Sequence, residues 1–154
     1  MTAAPVRRTL RFESLDQILA EAERLASGPH RLLGEWSYGQ ILAHLAQGVD
    51  CFYNGFGFQS PWVARTFIGP LVKRRVLTKA MPSGFQLPKS ADALLPHPET
   101  SAVDSLTHLR TAIIRLRTED PTHPHPFFGK MTADEVRQLM LRHAELHLSF
   151  VVPE

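Results

Sequence analysis

The sequence predicts an all-α protein: four long helices in one domain spanning residues 1–154, with a long insertion of short helices between the second and the third. Three observations predict it. Four segments repeat apolar residues at the helical period, and each opens on a hydroxyl residue followed three positions later by a side chain able to reach back to the first backbone N–H groups, so each start is marked twice. Nothing in the pattern asks for a β-sheet. A chain of 154 residues, 44% hydrophobic and 21% charged, can bury a core without metal or disulfide staples.

Ser14 with Gln17 opens the first helix, where Leu15, Ile18, Leu19, Ala22, Leu25 and Ala26 form one stripe and Gly28-Pro29 ends it, giving a helix over 14–27. Ser37 with Gln40 opens the second, apolar almost all round through Ile41, Leu42, Leu45, Ala46, Val49 and Phe52, and therefore central and largely buried. Residues 54–100 are too many for a simple connection and should contain structure or cover a site. Within them Pro61–Ile68 and Pro70–Ala80 read as two short helices, while 81–98, with Pro82, Pro88, Pro96 and Pro98, reads as irregular. Ser101 with Asp104 opens the third long helix, whose stripe is Val103, Leu106, Leu109, Ile113 and Leu116, ending before Asp120-Pro121. Thr132 with Glu135 opens the fourth, expected to run to about Phe150.

A formal charge of +2, from 17 Lys and Arg against 15 Asp and Glu, is too small a field to suggest nucleic acid as a partner. One cysteine, Cys51, excludes an internal disulfide framework and fits a reducing, cytoplasmic compartment; two turns from His44, it reads as a buried small residue. The N-terminus shows no apolar segment behind Arg7-Arg8, so no signal peptide is expected. No apolar stretch reaches the ~20 residues of a membrane span, and no membrane partner is expected. The Lys73-Arg74-Arg75 run beside Trp62, Phe67, Ile68, Leu71 and Val76 fits either an acidic membrane surface or a packed lid with a solvated basic face, and the lid is the preferred reading.

The chemistry lies in the histidines, sorted by face. His143 and His147 fall on the stripe of Val136, Leu139, Met140, Leu146 and Phe150, while Arg137, Gln138 and Glu145 take the opposite, wet side. At i and i+4 two imidazoles can converge on one ion. A third is available on the second helix, where His44 shares its face with Gln40, Gln47, Gly48 and Cys51. Periodicity alone leaves two readings open, three hydrogen-bonded core histidines or three ligands to one metal. His108 reads as solvated, His30 and His97 as surface loop residues, and His123 and His125 as turn residues in a rigid Pro-rich loop leading into the last helix, where they could touch the site. Arg110 lies within the third helix's stripe and could hold a carboxylate, although an arginine that snorkels or pairs is the simpler reading.

Three segments carry a resemblance: Ser37-Tyr38-Gly39-Gln40-Ile41-Leu42-Ala43-His44-Leu45-Ala46, His125-Pro126-Phe127-Phe128-Gly129-Lys130, and His143-Ala144-Glu145-Leu146-His147-Leu148. Together they resemble the DinB/YfiT-like superfamily and, within it, the branch labelled domain of unknown function fifteen-sixty-nine, over nearly the whole chain. The resemblance implies a DinB-like four-helix bundle with a metal held by one histidine of the second helix and two of the fourth, here His44, His143 and His147. Relatives in the superfamily include metal-dependent S-transferases and isomerases that use a low-molecular-weight thiol. The expectation is therefore a metal-dependent enzyme acting on a small-molecule substrate, with a homodimer as one expected assembly, a divalent ion (zinc, nickel, iron or manganese) and Gln40, Gln47, His125 or Arg110 orienting the incoming group. The alternative is a non-catalytic, metal-stabilised helical module for binding or dimerisation in stress response. No residue stands out as general base, and Glu145 reads as a surface residue.

Overall fold

The computed structural model describes residues 6–84 and 89–154. The Met1–Pro5 part of the N-terminus and Phe85–Pro88 within the Pro-rich stretch lie outside the described residues. The fold is mostly helical. Helix α1 covers Leu15–Ala26, α2 Tyr38–Asn54, α3 Gly69–Thr78, α4 Ala102–Thr118 and α5 Ala133–Leu148. The hydroxyl starts act as caps: Ser14, Ser37, Ser101 and Thr132 each accept from the backbone N–H three residues on, and at Ser37 and Thr132 the side chains of Gln40 and Glu135 reach back to complete a capping box.

The core lies where α2 packs against α4 and α5, with α1 also packed on α4 and α5. Helix α2 is its centre, buried from Tyr38 to Tyr53 at nearly every position. It meets the start of α4 at Gly39, where a methyl group would stand 2.3 Å from the Thr100 carbonyl oxygen, so only glycine allows that approach. The stripe of α4 is buried from Ser105 and Leu106 onward, but Val103, on a side of the first turn turned away from α2, is 76% exposed.

Four expectations are corrected. A two-stranded antiparallel sheet exists: β1, His30–Leu32, pairs with β2, Val151–Pro153. The last helix accordingly stops at Leu148, short of Phe150. The two short helices are continuous, because a π-helical stretch, Ala64–Ile68, runs directly into α3. Pro70 supplies the reason: it has no N–H for the Thr66 carbonyl and its ring crowds that oxygen, and the wider π turn relieves both problems. Finally, part of the stretch read as irregular forms a short 3-10 helix, Lys89–Leu94, which buries Ala91 and Leu94 and packs on α2.

Candidate metal centre

His44 sits mid-way along α2, buried, and His143 and His147 sit one turn apart near the end of α5, partly buried. Their rings converge. His143 Nε2 lies 3.0 Å from His44 Nε2 and 3.1 Å from His147 Nε2, and one nitrogen from each of the three falls within 4.8 Å of the others. The His143 ring rests on the α2 backbone at Gly48, where even a methyl group would come within 3.4 Å of its Cε1.

The hydrogen bonds decide which nitrogens can act as ligands. His44 Nδ1 lies 2.7 Å from the Leu94 carbonyl oxygen. A carbonyl only accepts, so Nδ1 donates and Nε2 turns its lone pair into the cluster. His143 Nε2 then has two nitrogen neighbours and one in-plane site. If it carries a proton it serves one neighbour with a linear hydrogen bond; if it carries a lone pair, it opposes the lone pair of His44. No distribution of protons gives both contacts good geometry, whereas one cation satisfies three lone pairs together. The two short spacings also fit, because two nitrogens bound at about 2.0–2.1 Å stand roughly 2.9 Å apart at a right angle and about 3.3 Å apart at a tetrahedral one.

All three imidazoles are held in the neutral form that ligation requires. Burial pushes His147 down to about 3, with repulsion from His44 adding to it. His143 is driven well below its ordinary value by burial, then by His147, His44 and His125. His44 is lowered by burial, against an opposing pull from the Leu94 carbonyl.

Two parts of the surround were not read from the sequence. Trp36 stacks on His147, with ring centroids 5.5 Å apart at 15°, and tilts against His44 at 4.9 Å. The small sheet puts it there: beyond the β1–β2 pairing, the Leu33 N–H donates to Phe150 O at 2.9 Å, which holds the segment leading to Trp36 beside the end of α5. The other is the Leu94 carbonyl, delivered by the 3-10 helix. The length of the insertion was the only sequence signal for it. For Trp36 the signal was an aromatic residue immediately before the Ser37 cap.

Of the remaining candidates, Gln40 is engaged in the capping box, its Oε1 accepting from the Ser37 N–H at 2.9 Å. Gln47, one turn beyond His44 on α2, has a buried Oε1 with no hydrogen-bond partner among the described residues. His125 accepts from the Phe127 and Phe128 N–H groups through Nδ1, which leaves its proton on Nε2. Its ring stacks on Phe128 at 4.5 Å, and burial lowers it to about 4. The structure does not bring Arg110 to the histidines: it is exposed and pairs with Glu23 of α1 at 2.9 Å.

Other readings change. Glu145 is 5% exposed, accepts from the Phe12 N–H at 2.6 Å and pairs with Arg142 at 3.1 Å, so the wet face of α5 ends before it. Burial raises its carboxyl above the usual range, against the pull of the Phe12 N–H and Arg11. His108, read as solvated, pairs with Asp50 at 2.6 Å. His30 belongs to β1, and its Nδ1 meets the Leu25 carbonyl at 3.0 Å. Cys51 is buried and free as expected, its thiol pushed up to about 11 by burial and by Asp50.

A family profile described as Protein of unknown function (DUF1569) matches residues 4–154. No curated protein and no solved structure matches the chain.

Proposed function

We propose that this chain, which belongs to the family described as Protein of unknown function (DUF1569), holds one divalent metal ion on His44, His143 and His147 and is a metal-dependent enzyme acting on a small molecule. The observation that carries this reading is the meeting of three neutral imidazole nitrogens at one point with too few protons to bond them to one another. Three protein ligands leave at least one coordination position for a reactant, the arrangement of a catalytic rather than a closed site. When bound, the ion supplies Lewis acidity that lowers the pKa of a thiol or water near neutral pH.

Within this reading α1, α2, α4 and α5 are the four helices of a DinB-like bundle, and the reaction is S-transfer or isomerisation with a low-molecular-weight thiol. In S-transfer a carbon–sulfur bond forms, the bond to the leaving group breaks, and the thiol proton departs with that group. The chain's own contribution is positional. The Leu94 carbonyl holds His44 in the correct tautomer, Trp36 shields one side of the ring cluster, and Gln47 Oε1 offers an acceptor to an incoming donor. We read the protein as cytoplasmic and as a homodimer.

A second reading is favoured by the stacking of Trp36 over two rings and by the way the cluster ties α2 to α5: a non-catalytic module in which the metal only stabilises the fold. Metal analysis of protein purified without a histidine tag tests the site itself. One divalent ion per chain is expected, with loss of that ion in His143→Ala; a metal-free wild type, or a variant that keeps its ion, overturns the proposal. Assay of the fully metallated protein with a panel of reduced thiols and an electrophilic acceptor separates the two readings, because absence of turnover with every thiol selects the structural one.

A further inference from the structure

The helical stretch formed by the π segment and α3 is attached to the molecule by one side only. Gly69 lies so close to the loop before α5 that a methyl group would meet the Phe127 carbonyl oxygen at 2.5 Å. Lys73 pairs with Glu135 at 2.8 Å, and Val76 and Leu77 pack on the core. The opposite side is apolar, and nothing among the described residues covers it: Trp62 is 64% exposed, Phe67 63%, Ile68 58% and Leu71 79%, with Val63 and Val72 beside them. Of the residues expected to form a packed lid, Trp62, Phe67, Ile68 and Leu71 turn outward and only Val76 packs on the core.

One contiguous run of large apolar side chains at this exposure is uncommon on a soluble surface and marks a place where something binds. Charge identifies the occupant. The chain has no acidic residue between Asp50 and Asp92, while Arg65, Arg74, Arg75 and Lys79 lie along this same stretch. Arg74 and Arg75 are exposed, one turn beyond Leu71, and have no ion-pair partner among the described residues. A second copy of the chain would bring the same cations to the same face. A bilayer rich in anionic headgroups is complementary to them, and it needs no preformed groove to receive a convex ridge of Trp, Phe and Leu.

On sequence alone no membrane partner is expected; the outward placement of these side chains changes that. We propose that the 62–78 helix is a peripheral docking surface for anionic lipid, with Trp62, Phe67 and Leu71 entering the interface and Arg74 and Arg75 held at the headgroups. No helix of the described residues is long and apolar enough to cross a membrane, so the attachment is to one leaflet and is reversible.

The full chain should float with vesicles of phosphatidylglycerol and phosphatidylcholine in equal parts and not with phosphatidylcholine alone, and its tryptophan emission should shift to the blue on binding. Because Trp36 is the other tryptophan, Trp62→Phe should abolish the shift. Arg74→Gln with Arg75→Gln should weaken binding by at least about tenfold, and Phe67→Ser with Leu71→Ser should prevent it, both with an unchanged thermal midpoint because all four residues are exposed. Equal flotation with neutral vesicles, no flotation with either, or full binding by the folded Phe67→Ser/Leu71→Ser variant would overturn the proposal. So would self-association abolished by that variant in the absence of lipid, since it would identify a second copy as the occupant.

Discussion

His143 Nε2 faces two nitrogens with one in-plane site, and that mismatch is the most informative fact about the protein at the scale of single residues. Its neighbour in the Pro-rich loop, His125, gives a test that does not depend on metal. Its folded-state pKa of about 4 lies below the value near 6.5 of an unfolded chain. Between those two values the unfolded state binds a proton that the native state does not. The associated stability is therefore intact above about pH 6.5 and is lost as pH falls toward 4. Unfolding of metal-free protein in urea should show a loss on the order of 1–2 kcal/mol from this residue between pH 7 and pH 5. His125→Asn, which keeps an acceptor for the Phe127 and Phe128 N–H groups, should flatten that part of the profile; an unchanged slope would contradict the assignment. His143 and His147 were legible from the sequence because their spacing puts both on one helical stripe. The protonation pattern was not, since it depends on a carbonyl 50 residues away from His44.

At the scale of elements, the helix starts were legible because a cap is a local event: a hydroxyl and the N–H three residues on need no tertiary partner. Faces were less so. Helix α5 was read as having a wet side through Glu145, yet the extended segment before α1 lies over that side and buries it, with Arg142 2% exposed and bonded to the Phe12 carbonyl at 2.6 Å. An ion pair so enclosed costs more when half of it is removed than when both charges go. Arg142→Met should destabilise the protein by about 3–5 kcal/mol, and adding Glu145→Gln, whose amide oxygen can still accept from the Phe12 N–H, should recover part of the loss in urea unfolding. A double variant worse than the single one would show that the pair is not coupled. The strands escaped notice for a simpler reason: three residues each, one ending in Pro153, are too short to display an alternating pattern.

For the molecule as a whole, the cluster joins α2 to α5, elements separated by most of the chain, so a bound ion would add its binding free energy to the folded state alone. At a free metal concentration a hundredfold above Kd this amounts to about 2.7 kcal/mol, or a rise of roughly 5–10 °C in thermal midpoint for a domain of this size. Chelation should reverse it, and His143→Ala should be insensitive to both treatments. A wild-type midpoint indifferent to chelator and to every divalent ion offered would remove the site.

The sequence by itself determined the helices, their caps, the central burial of α2 and the placing of two imidazoles on one face, because each follows from interactions within a turn or two of chain. Only the tertiary structure decided that Trp36 roofs the histidines, that the Leu94 carbonyl sets the tautomer of His44, that Glu145 is buried, and that the apolar side of the 62–78 helix faces outward. Periodicity says that a face is apolar; what lies against that face depends on which distant segment arrives there, and local pattern carries no record of it.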